Sequence, residues 1–226
     1  MFNEKSELVE KNYCPICEKY LEFEVSGSNE REYSKCPLCG SLERHRLTYL
    51  FFKGRYSELF NQKSIKLLHI SPEKVFYNYF KDQKNIDYYP ADINDLKLFE
   101  SDNIEIEEKI SIEKLPYSDN EFDLIYNEHI LQYIQDDDKA IKEIYRVLKR
   151  NGHCIIPLIL NNPLDETSEN DYGKQNKIIY LTDLANKFKQ YGFDVEVVTC
   201  EDILDFDFEK SLYNVSDTKI IVCKKN

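Results

Sequence analysis

Apolar and polar positions along this chain change their period several times, and each change marks an element. Tyr20-Leu21-Glu22-Phe23-Glu24-Val25 alternates with a period of two and runs into Ser26-Gly27-Ser28-Asn29, so residues 18–35 predict a hairpin. From Ser41 the spacing widens. Leu42, Leu47, Leu50, Phe51 and Leu59 fall on one side of a helix that runs to about Phe60, with Ser41 as its cap. Beyond residue 64, short apolar runs alternate with helical spacing. Strands are predicted over 65–71, 86–91, 109–112, 122–126 and 153–160, and helices over 72–81 and 138–149. A helix over 182–191, capped by Thr182 and stopped by Gly192, precedes strands over 194–199 and 218–223.

Helices that separate apolar strands imply an α/β fold with a doubly wound, mostly parallel sheet. Ligands of such sheets bind outside the carboxyl ends of the strands, where the strand order reverses. Three parts are expected: a cysteine module over 1–41, a connecting helix over 42–63 and the α/β domain over 64–226. No Pro/Gly/Ser linker separates them, so the module is expected to pack on the domain.

The front of the chain carries the first chemistry. Cys14-Pro15-Ile16-Cys17 and Cys36-Pro37-Leu38-Cys39-Gly40 are two knuckles in a C-x2-C-x18-C-x2-C array. Two residues between cysteines aim both thiolates at one ion, and two knuckles complete a tetrahedral shell for zinc. Such a shell leaves no open position, so the metal is expected to be structural. His45, six residues past Cys39, is the alternative ligand. A module this poor in apolar side chains needs its metal to fold. Cys154, Cys200 and Cys223 lie in apolar stretches and read as core thiols.

Charge narrows the partners. Residues 1–63 are balanced, and residues 64–226 carry the whole net charge of −12. An acidic main part argues against phosphate-backbone binding, which uses Lys/Arg clusters. No apolar run approaches the ~20 residues of a membrane span, and residues 1–11 have no signal-peptide core, so a cytoplasmic protein is expected.

Several stretches, in register, then carry a family likeness. Leu115-Pro116-Tyr117-Ser118-Asp119-Asn120-Glu121-Phe122-Asp123-Leu124-Ile125 precedes the fourth strand. Ile144-Tyr145-Arg146-Val147-Leu148-Lys149-Arg150-Asn151-Gly152-His153 leads into the fifth, and Tyr191-Gly192-Phe193 into the sixth. Together they resemble class I, Rossmann-like S-adenosylmethionine-dependent methyltransferases. The knuckles and Leu67-Leu68-His69-Ile70-Ser71-Pro72-Glu73 resemble a bacterial subgroup with a cysteine-knuckle front. The resemblance implies S-adenosylmethionine as cofactor. Most of the class carries an acid and a glycine-rich turn after the first strand. Here His69 stands in the acid's place and Ser71 in that of the first glycine, while Glu73 is the candidate acceptor for the cofactor's ammonium. Asp92 matches the family's ribose-binding acid, and Ile93 would pack on the adenine. Ser111 and Ile112 hold the adenine-contact position, and Asn127 should line the pocket.

Methyl transfer is an in-line displacement, so the protein chiefly aligns the acceptor and excludes water. His129, just past the fourth strand, is the candidate base or substrate contact, and Arg44, His45 or Arg46 are expected at the substrate mouth. A small-molecule or glycan-type acceptor is the leading expectation. The alternatives are an RNA or protein methyltransferase that reads its target with the zinc module, and a binding protein that kept the fold without catalysis.

Overall fold

The structure is a computed structural model that describes residues 11–26, 31–61, 64–93, 104, 106, 108–127, 130, 131, 134, 136–159, 181–204 and 218–226. Its front builds two hairpins where the alternation predicted one. β1 (Asn12–Cys14) pairs antiparallel with β2 (Lys19–Leu21) around the first knuckle. β3 (Glu24–Ser26) pairs antiparallel with β4 (Arg31–Lys35). The first knuckle reverses the chain by itself, with Glu18 at φ 55°. The expected turn beyond Ser26 lies outside the described residues.

Helix α1 (Glu43–Arg55) begins later and ends earlier than its spacing implied. Leu42, not Ser41, takes the cap position, and its N–H donates to His45 Nδ1 at 3.1 Å. The Ser41 hydroxyl is drawn instead to the sulfurs, 3.2 Å from Cys39 Sγ. At the far end Ser57 Oγ donates to Gly54 O at 2.9 Å, and a separate short helix α2 (Ser57–Phe60) follows.

The domain is a seven-stranded sheet in the order β10-β11-β9-β8-β5-β6-β7. Its elements are β5 (Ile65–Ile70), α3 (Lys74–Lys81), β6 (Ile86–Ile93), β7 (Glu108–Ile110), β8 (Phe122–Asn127) and α4 (Asp137–Val147), followed by β9 (Leu148–Ile159), α5 (Leu181–Gln190), β10 (Phe193–Val198) and β11 (Thr218–Lys225). The five strands β5 to β9 run parallel, and β11 lies antiparallel between β9 and β10. From β5 the chain moves outward to β6 and β7, then returns to β8 on β5's other side. The order therefore reverses between β5 and β8, which opens the crevice there.

Two boundaries moved for local reasons. β9 begins at Leu148, directly at the end of α4, because Gly152 lets the chain press on itself. A Cβ there would lie 2.9 Å from Leu148 Cγ and 2.9 Å from Lys149 O. Thr182 sits inside the first turn of α5 and is not its cap, while Gly192, at φ 92°, ends that segment as expected.

Both sheet faces are covered, so the central strands are apolar on both sides. Leu68, Ile70 and Ile125 join Ile141 and Ile144 of α4 and Leu184 and Phe188 of α5. On the other face Ile65, Leu67, Leu124 and Tyr126 meet Phe51 and Phe52 of α1 and Phe76 and Phe80 of α3. That second layer is largely aromatic. The Phe52 ring lies 5.4–5.9 Å from those of Phe60, Phe76, Phe80 and Tyr126, edge-on to each. The module docks on the same side. Tyr13 packs with Leu47, Cys200, Ile203 and Leu204.

The two longest family-like stretches prove to be halves of one clamp. Arg146 donates to Leu115 O at 2.9 Å and Tyr117 O at 2.7 Å, and it pairs with Glu143 and Asp119. Asp123 accepts from Lys66 N at 2.9 Å and Lys149 Nζ at 2.7 Å. The loop before β8 is thereby tied to the end of α4 and the edge of β5, and this sets the height at which β8 delivers Asn127.

Candidate functional site

The four knuckle cysteines converge. Their sulfurs all lie within 4.8 Å of one another, with Cys14–Cys39 at 3.7 Å and Cys17–Cys36 at 3.8 Å. A regular tetrahedron of thiolates about 2.3 Å from a central zinc has edges of about 3.8 Å, so the four fit that ion. Backbone turns set the geometry. Gly40, at φ 72°, donates to Cys36 O at 2.9 Å, and Cys36 N donates to Ser41 O at 2.9 Å. The thiols respond to their crowding. A hydrogen bond from Cys39 holds the Cys14 thiol down at about 4, while desolvation pushes Cys17 up to about 11. His45 sends Nδ1 to Leu42 and is no part of the cluster. Cys154, Cys200 and Cys223 are buried free thiols, as expected.

Arg46, expected at the substrate mouth, is instead sunk into the module with no exposed surface. Its Nη1 donates to Ser34 O and Ser41 O, both at 2.9 Å, and its guanidinium lies 4.4 Å from the Phe23 ring centre. Burial lowers it to about 10, and negative charge on Glu43 and the nearby cysteines opposes that shift. Its methylene stem and charge hold β4 and the second knuckle onto α1.

In the domain, three predicted residues gather where the strand order reverses. Ser71 follows β5 in a left-handed conformation, φ 53°, which only glycine adopts without cost. The serine thus keeps the shape that the missing glycine would give. Its N–H bonds Ala91 O at 2.8 Å, and its hydroxyl donates to Asp92 Oδ1 at 3.2 Å. Asp92 is half-buried near the end of β6. Asn127 ends β8, level with Ile70 of β5. It is fully buried, yet neither its Oδ1 nor its Nδ2 meets a hydrogen-bond partner among the described residues. Buried polar atoms are rarely left this way, so the pair is a candidate for hydrogen bonds from a ligand or a water.

The other predicted positions are placed differently. His69 has no exposed surface and belongs to the aromatic layer. Its Nδ1 lies 2.8 Å from the Tyr88 hydroxyl, and its ring is 4.9 Å from that of Tyr126. Desolvation lowers it to about 3, so the imidazole is neutral. Ile112 is buried in the α4-side core and Ser111 is exposed beside Lys114. The side chain of Ile93, and His129 altogether, lie outside the described residues.

Glu73 is engaged from the module side. Arg44 Nη2 donates to both of its carboxylate oxygens, at 2.7 and 2.8 Å, and His45 Nε2 lies 2.7 Å from Oε2. Because Leu42 N–H can only donate, His45 Nδ1 is the acceptor and the proton sits on Nε2, the nitrogen 2.7 Å from Glu73 Oε2. Burial keeps this histidine neutral, against the pull of Glu73. His45 and Glu73 also line a groove of roughly 810 Å³ between the second knuckle and α3, with Leu38, Leu42, Asn78 and Tyr79. Sequence reading assigned Arg44 and Glu73 separately. Nothing in their spacing signals a contact across 29 positions.

Residues 53–156 match a family model described as a methyltransferase domain. Over 70 residues, 31% of the chain, the sequence is 41% identical to a sterol 4-C-methyltransferase of Caenorhabditis elegans, of which that stretch is 19%. Over 54 residues, 24% of the chain, it is 44% identical to a ubiquinone/menaquinone biosynthesis C-methyltransferase of Psychromonas ingrahamii, covering 21% of that protein. The chain thus spans about a fifth of the length of these curated relatives. Among solved structures, an S-adenosylmethionine-dependent methyltransferase of Thermotoga maritima, described as a possible histamine N-methyltransferase, superposes with a TM-score of 0.53 at 16% identity. That match covers 79% of this chain and 99% of the other. One from Mesorhizobium loti gives 0.53 at 12% identity over 76% of this chain and 96% of its own. Likenesses at such identities establish the fold. Among the described residues no helix is long and apolar enough to cross a membrane.

Proposed function

We propose that this chain is a class I S-adenosylmethionine-dependent methyltransferase, a reading supported by its methyltransferase-domain match and its fold, that it methylates a small-molecule acceptor and that it holds its front module together with zinc. S-adenosylmethionine supplies a methyl group already activated by sulfonium charge. The chain's own part is to seat the cofactor, align the acceptor and keep water out. The observation that carries the reading is the constellation at the switch point: Ser71 in a glycine's conformation, Asp92 beside it, and Asn127 with two unanswered polar atoms. In this reading Asp92 accepts from the ribose hydroxyls, one of its oxygens already steadied by Ser71. Asn127 offers one donor and one acceptor to the bound cofactor. Ile93 is proposed against the adenine and His129 as the base or acceptor contact, two positions past Asn127.

Two observations support a small acceptor. The curated relatives are named for sterol and ubiquinone/menaquinone chemistry. The net charge of −12 opposes a long phosphate backbone. Zinc is supported by the tetrahedral spacing of the four sulfurs.

The test is calorimetric titration with S-adenosylmethionine. Wild-type protein should bind, and Asp92→Ala should weaken binding by about 1.5–3 kcal/mol, the scale of hydrogen bonds to a charged group. Unchanged affinity in that variant removes Asp92 from the site. No binding by the wild type removes the methyltransferase reading in favour of a fold that has lost its cofactor.

A further inference from the structure

Glu73 sits at the cap position of α3, the residue that ends the turn after β5, but its side chain makes no cap bond to its own helix. It reaches across to α1, where one Arg44 nitrogen bridges both carboxylate oxygens and His45 closes on Oε2. The three side chains are nearly sealed, at 11% exposed for Arg44, 4% for His45 and 12% for Glu73. Solvent screens such a pair far less than a surface ion pair, and charged hydrogen bonds of this length are strong.

The α1 end of this contact is rigid because the module makes it so. Leu42 N–H fixes the His45 ring, Arg46 is sunk among β4 and the second knuckle, and Ser41 contacts the sulfurs. The α3 end is strained. A non-glycine residue at φ 53° persists only where its surroundings over-determine it. The Ser71 hydroxyl holds one side of that turn to Asp92, and Glu73 holds the other side to the module.

We propose that Arg44 and His45, acting through Glu73, are positioning residues by which the four-cysteine module keeps the Ser71–Pro72–Glu73 turn in its cofactor-binding shape, so that cofactor affinity depends on the metal centre. The proposal rests on the reading of the crevice as a cofactor site. It gives the module a part in binding without contact between the metal and the ligand. In place of a glycine-rich loop that is flexible and adapts, this chain has a stiffer turn held from outside.

The experiment uses the full chain in four forms: wild type, Arg44→Ala, Glu73→Gln and the double variant. Two quantities are measured, the S-adenosylmethionine Kd by calorimetry and hydrogen exchange of the Tyr77 amide, which bonds Glu73 O at 2.9 Å. Each single variant should weaken the cofactor on the order of tenfold, and the double no further, because both cut one connection. Arg44→Lys, which restores a single charged donor, should recover part of the loss. Stripping metal with a chelator should weaken binding in wild type and speed exchange at Tyr77. The proposal is overturned if Arg44→Ala lowers the melting temperature but leaves Kd within about twofold of wild type, or if the two losses add. Should wild type bind no cofactor, the functional reading fails, and the exchange arm still decides the clasp. Tyr77 exchange unchanged by Arg44→Ala and by chelation would then sink it.

Discussion

Ser71 shows how a single residue can depart from a motif and keep its shape. Replacing a serine by alanine is ordinarily milder than replacing it by glycine, since glycine loosens the unfolded chain. At φ 53° the order should invert. Both substitutions lose the bond to Asp92, but only glycine relieves the left-handed strain, so Ser71→Gly should be more stable than Ser71→Ala by about 1 kcal/mol in denaturant titrations. Equal stabilities would mean that the turn relaxes without glycine. His69 gives a pH prediction. Its folded value, about 3, lies below the ordinary 6.5, so folding favours the neutral ring. Its contribution is fully present above pH 6.5 and is lost as pH falls from there toward 3, at about 1.4 kcal/mol per unit. In NMR the His69 ring signals should stay still between pH 8 and 5; a midpoint near 6.5 would place the ring in water. Sequence reading named Asp92 for its match to the ribose-binding acid of the resembled family and Asn127 for its place at the fourth strand's end, and the structure sets both near the reversal of strand order. It misjudged His69 because strand alternation, unlike motif alignment, decides which face a side chain takes. Next to Leu68 and Ile70 on one face, His69 had to enter the other.

Element by element, legibility followed the strength of the period. The central strands and α4 were readable from apolar spacing, and their ends moved by only a few residues. α1 was harder, because it buries Arg46 and Thr48 as well as leucine and phenylalanine, so its polar residues do not mark a solvent face. The module was readable from cysteine spacing but not in its strands, which are only three to five residues long. Strands so short do not hold themselves together, and this leads to a prediction about metal. Elemental analysis should find about one zinc per chain, and Cys36→Ser should lose it along with the protease resistance of the module. A metal-free wild type with an intact module would show that Arg46 and the small apolar cluster around Phe23 suffice.

At the scale of the molecule, two sources of order meet at one edge of the sheet. The domain is organised by apolar burial on both faces, and the module by four sulfurs and one sunken arginine. They are joined by a helix that belongs to both, since α1 gives Phe51 and Phe52 to the aromatic layer and Arg46 to the knuckles. That double membership was legible only as the absence of a linker. The sheet order carries a separate consequence, for time. Among the described strands β10 pairs with β11 alone, and β11 is wedged between β9 and β10 although it comes after both in the chain. During synthesis α5 and β10 emerge with no neighbour to zip against, while β5 through β9 can already assemble. The parallel half is therefore free to form early, and the antiparallel corner must wait for residues 218–225. Until they arrive, the outer edge of β9 stays open to whatever strand reaches it first.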